Sequence, residues 1–124
     1  MNSVVLAPPH AILFILDPSN KNVEIPEYVD GELTAENHSC ISVGTQPDVD
    51  GDTSVTLGRR SERVDLTGLS RVFEGSIQTP GRKIAIVTSE SQSVLEQNID
   101  STESEVSIWA DDAKNPSRVT VVIE

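Results

Sequence analysis

Aromatic residues are scarce: Phe14, Tyr28, Phe73 and Trp109 are the only four in 124 residues, too few for the ring platforms on which sugars stack, which argues against a lectin. Cysteine is scarcer. Cys40 stands alone, so no intramolecular disulfide can form; a reducing compartment fits, and the cytoplasm is the expected location. Long hydrophobic runs are also missing. The most apolar stretch, residues 1–16, is broken by Pro8 and Pro9, has no basic segment before it and shows no small-residue cleavage pattern. It is shorter than the ~20 apolar residues a spanning helix needs. It therefore reads as core, and no membrane partner is expected.

Positive charge is in short supply too, with nine Lys and Arg against twenty Asp and Glu, a formal net charge of -11. Its distribution is uneven. Residues 1–58 hold nine acids against Lys21 (-8), residues 59–83 are net basic (+3), and the remainder is acidic again (-6). Such a field repels nucleic acid and anionic lipid and speeds encounter with a basic protein, besides keeping the chain in solution.

The length predicts one domain, residues 1–124, large enough to bury about two-thirds of its unfolded surface without disulfide or metal support. Short β-branched runs separated by Gly, Pro, Asn, Asp and Ser predict strands. They fall at Ala11–Leu16, Cys40–Val43, Thr53–Leu57, Val64–Leu66, Val72–Ile77, Ile84–Thr88, Glu105–Ala110 and Arg118–Ile123. Val119, Val121 and Ile123 share one face of the last. About eight strands at this spacing predict an all-β fold, an antiparallel β-sandwich. Asp50-Gly51 and Pro80-Gly81 are expected at hairpin turns, and Asn115-Pro116 at the turn before the last strand. Residues 18–37 read as a long loop with one short element, and residues 89–98 fit either a strand or a helical turn.

No catalytic set is legible. Asp48, Asp50 and Asp52 alternate as at the start of a calcium loop, but the positions that should be glycine and a closing glutamate are Thr53 and Arg59, so an acidic hairpin turn is the better reading. His38 and Cys40, two apart, would share a strand face; with His10 the only other histidine, four zinc ligands are not available. A Cys–His nucleophilic pair lacks an orienting third residue, and Cys40 fits better as a small buried hydrophobe. Arg59, Arg60 and Arg63 could meet phosphates, yet in a chain of opposite sign they are expected to balance its own acids. No cofactor or metal is expected. Trp109 is out of phase with Val106 and Ile108; if exposed, it is an interface anchor.

The order of several segments resembles the competence protein J family. They are the early apolar strand with His10, Ile25-Pro26-Glu27 before Gly31, the strand at Cys40–Val43, and Gly75-Ser76-Ile77 leading to Ser107-Ile108-Trp109. That family is small and cytoplasmic, and its characterised activity is inhibition of a DNA-entry nuclease by direct binding. The resemblance implies a β-sandwich inhibitor-like module; the acidic 48–52 turn and a shorter C-terminal strand region depart from it. The sequence is thus expected to encode a non-enzymatic module of nuclease-inhibitor or immunity type. Its acidic surface would engage a basic protein, a nuclease or a toxin, through Asp48, Asp50 and Asp52 with Trp109 as anchor. The alternative is a structural or assembly protein, such as a phage or secretion-system component, whose strand edges pair into a homo-oligomer.

Overall fold

Alternating apolar side chains need a surface to bury against, and here two sheets supply it to each other. The computed structural model describes all 124 residues. Ten strands form: β1 (Asn2–Leu6), β2 (Ile12–Leu16), β3 (Thr34–Glu36), β4 (Cys40–Gly44), β5 (Thr53–Arg59), β6 (Ser70–Gln78), β7 (Lys83–Thr88), β8 (Ser93–Asn98), β9 (Glu103–Ala110) and β10 (Arg118–Ile123). They make two five-stranded sheets, ordered β1-β5-β10-β9-β6 and β3-β4-β2-β7-β8. Leu13, Ile15, Ile41, Val43, Ile84 and Ile86 of the second sheet face Val55, Leu57, Val106, Ile108, Val119 and Val121 of the first. Burying each such side chain stabilises the fold by about 1.5–3 kcal/mol. No helix is long and apolar enough to cross a membrane.

The all-β sandwich matches the expectation, with four corrections. β1 forms within the apolar N-terminal run, where no separate strand is expected, while β3 is the one short element expected within residues 18–37. Residues 89–98 resolve as a turn followed by β8. Val64–Leu66 is not a strand. After a single-turn 3-10 helix at Arg60–Glu62, residues 63–69 return along the outer face of the first sheet. Val64 lies where a Cβ on Gly58 would come within 2.9 Å of it. Neither expected hairpin exists, because β4 and β5, like β6 and β7, belong to different sheets. Asp50-Gly51 and Pro80-Gly81 are crossovers between layers, and Gly51 still adopts the positive φ of 116° that favours glycine. Finally, β5 and β10 run parallel, paired from Arg118–Ser54 to Ile123–Arg59. The irregular return at residues 60–69 carries the chain the full length of the sandwich without a strand between β5 and β6, which makes that pairing parallel.

Register sorts the connections into two ends. Leu6 pairs with Thr53, Val119 with Ala110, Ser70 with Ala110 and Leu13 with Thr88, which places residues 7–11, 45–52, 89–92 and 111–117 together at one end, called upper here. The loops at residues 37–39, 59–62, 79–82 and 99–102 form the lower end.

Candidate functional site

The upper end gathers acids from segments far apart in sequence. Asp48, Asp50 and Asp52 lie in one connection and are all exposed, with Val49 at its tip 86% exposed. Pro47 precedes the single-turn 3-10 helix Asp48–Asp50, and Gln46 pins its base through Nε2 to Asp52 O at 2.9 Å and through its own N–H to Pro116 O at 2.9 Å. Asp30, Glu32 and Glu90 are exposed on neighbouring loops. Asp111 and Asp112 are occupied structurally. Burial opposes ionisation of Asp111, but the Ser117 hydroxyl and the N–H groups of Arg118 and Ser117 outweigh it and hold the carboxyl below the usual range. Asp112 is held low by the N–H groups of Asn115 and Lys114. Lys114 is the one lysine on these loops.

Beside the acids runs a groove of about 770 Å3 on the outer side of the second sheet. Its floor includes Ile12, Ser42 and Gly44, one wall is the Tyr28–Leu33 segment, and His10 and Lys114 close its upper side. The long return that builds the wall is anchored low: Ser39 Oγ accepts from Glu24 N at 2.9 Å, Asn37 Nδ2 donates to Glu24 O at 2.9 Å, and Pro26 is buried. Above that anchor, Tyr28 is 72% and Val29 52% exposed, and Ile25 beside the anchor is 57% exposed. Large apolar side chains set among Glu24, Glu27, Asp30 and Glu32 combine an acidic rim with hydrophobic contact area. In the sequence this segment reads as loop. Tyr28 and Val29 within four acids was the available signal. The groove's upper side is also strained: His10 and Ala11 both hold positive φ, 59° and 55°, with His10 Nδ1 3.0 Å from Ser89 Oγ.

The remaining expected residues lie elsewhere. Trp109 sits half-buried on the outer face of the first sheet, opposite Thr120 and Arg71, its Nε1 donating to Ser107 Oγ at 3.0 Å. It is on a side wall of the sandwich, not in the groove. His38 is exposed in the hairpin between β3 and β4, before the strand begins, so it shares no strand face with Cys40. Cys40 is fully buried, and burial pushes its thiol up to about 12. No three His, Cys, Asp or Glu side chains converge as metal ligands. Arg60 pairs with Glu124, its Nη2 2.7 Å from Oε1, and Arg59 donates to Asn98 O, so these arginines engage the chain's own acceptors at the lower end. Arg63 forms no such pair; it ends the Arg60–Glu62 turn in the left-handed conformation.

No family model and no curated protein matches the sequence. Among solved structures, the fold is similar to that of ComJ from Bacillus subtilis, described as an inhibitor of the DNA-degrading activity of NucA. The TM-score is 0.72 over 99% of this chain and 94% of that one, at 11% sequence identity. The resemblance carried by the ordering of segments thus holds at the level of the fold.

Proposed function

We propose that residues 1–124 act as one non-enzymatic binding domain that inhibits a nuclease, or a comparable basic toxin, by occupying its nucleic-acid-binding surface. The observation that carries this reading is the upper end, where exposed acids from four separate loops stand beside exposed Tyr28 and Val29. A surface that binds the phosphate backbone is cationic and is attracted by carboxylates in the same way. Affinity would come from the apolar groups and steering from the charge. Asp48, Asp50 and Asp52 are the steering contacts in this reading, with Trp109 a further anchor on the adjoining wall. That ComJ, with this fold, is described as a nuclease inhibitor agrees with it.

The test is titration of the purified protein into DNA-degradation assays with NucA and with nucleases of the source organism, at low and high salt. Stoichiometric inhibition that weakens with salt is expected. Replacing Asp48, Asp50 and Asp52 together by Asn should slow association about ten- to a hundred-fold. Binding that is indifferent to both salt and the triple substitution would refute acidic recognition.

A further inference from the structure

A sandwich of open sheets has four edges, and three of them here carry guards against pairing with another chain. β3 is three residues long; β6 carries Arg71 and Glu74 and a register shift between Arg71 and Phe73; β8 carries Glu96 and lies across a register shift between Ile86 and Val87. Short strands, charges and bulges are the usual devices for blunting an edge. β1 has none of them. Its sequence is Asn-Ser-Val-Val-Leu, it pairs continuously with β5 from Asn2–Leu57 to Leu6–Thr53, and Val5 is 65% exposed. No backbone hydrogen bond outside the sheet involves residues 2–6, so alternate N–H and C=O groups face outward unpaired.

We propose that β1 is a pairing edge for a second copy of this chain, joined antiparallel about a two-fold axis into one continuous ten-stranded sheet. Charge selects this occupant and this direction. Along β1 the outer wall is built of Ser3, Ser54, Thr56 and Thr120 with one acid and one arginine, Asp65 and Arg118, so it carries no net charge and two anionic bodies can approach there. Asp50 and Asp52 stand just beyond the upper end of the β1–β5 pair, whereas just beyond its lower end Arg59, Arg60, Arg63 and the Met1 ammonium outnumber Glu62 and Glu124, with which Met1 and Arg60 pair. Antiparallel pairing sets the acidic end of each copy beside the arginine-bearing end of the other; parallel pairing would set acids against acids. The groove lies on the other sheet and stays open, so this inference is independent of the proposed inhibition.

Sedimentation equilibrium of the full chain across a range of concentrations tests it, with amide hydrogen exchange of residues 2–6 recorded in parallel. A monomer–dimer equilibrium is expected, weakened by salt, with exchange at β1 slowing several-fold as concentration rises. Val5→Lys places a charge on the edge without touching the core and should give a monomer at every concentration. If Val5→Lys loses the native circular dichroism spectrum, the exchange data on the unaltered chain decide. A unaltered chain that stays monomeric at the highest concentration, or whose β1 exchange does not depend on concentration, or a folded Val5→Lys that dimerises normally, would each overturn the proposal.

Discussion

Asp17 is a charged residue with no solvent exposure, and its position explains why that is tolerated. It ends β2, where Oδ1 accepts from Ser19 N at 2.8 Å and Oδ2 from Gly81 N at 2.5 Å, tying the start of the long return to the crossover between β6 and β7. The close approach depends on Gly81, since any Cβ there would collide with Ser19 and come within 3.0 Å of the carboxylate. Asp17→Ala would remove both charge-assisted hydrogen bonds, leaving the N–H groups of the exposed Ser19 and Gly81 to water, and the expected cost is about 1–3 kcal/mol in all. Urea denaturation should show the lowered midpoint, and an unchanged midpoint would mean that water replaces the carboxylate freely. Cys40 illustrates the opposite case, a reactive group silenced by its surroundings. With the thiol buried and pushed up to about 12, native protein should resist iodoacetamide at neutral pH and label only on unfolding.

At the scale of elements, what was legible from the residues is what periodicity encodes. Val119, Val121 and Ile123 alternate with outward residues, and β10 is a central strand; Cys40–Val43 and Glu105–Ala110 likewise fall within observed strands. Val64–Leu66 misled because an apolar triplet lying over the outer face of a sheet has the same local pattern as a strand buried between two. Asp50-Gly51 and Pro80-Gly81 misled because turn chemistry specifies a reversal and not which sheet receives the next strand. The acids at 48–52 could be named from sequence, whereas their neighbours at residues 30 and 32 could not, since register alone brings those loops to one end. Tyr28 and Val29 offer the sharpest check on that assembled end. Neither is buried, so Tyr28→Ala with Val29→Ser should leave thermal stability within about 0.5 kcal/mol of the parent. The same pair should weaken target binding, mostly through faster dissociation, by about ten-fold or more if Tyr28 is a buried anchor in the complex. Unaltered dissociation would place the contact surface elsewhere on the sandwich.

For the molecule as a whole, the excess of carboxylates makes acid the revealing variable. Five carboxyls sit below their usual range for reasons of folded structure: Asp111 and Asp112 through the loop N–H groups, Asp65 through Thr67, Glu62 through the N-terminal ammonium and Arg59 N, and Glu124 through Arg60. A carboxyl that is more acidic in the folded chain than in the unfolded one stabilises the fold at any pH above its unfolded pKa. That contribution is lost as pH falls through the folded value. Stability should therefore be level from neutral down to about pH 5 and decline below about pH 4, where unfolded Asp and Glu begin to take up protons that the folded chain refuses. Most of the five are exposed, so each contributes modestly and added salt should flatten the limb attributable to Glu62 and Glu124 more than that of Asp111. Asp111 is the member to remove. Its carboxylate joins β9 to β10 by accepting from Ser117 N at 2.9 Å and Arg118 N at 3.0 Å, and Asp111→Asn keeps an acceptor there while abolishing the titration. Denaturation midpoints measured from pH 3 to pH 7 should show a shallower acid limb in that variant, and a limb as steep as the parent's would assign the acid sensitivity to other carboxyls.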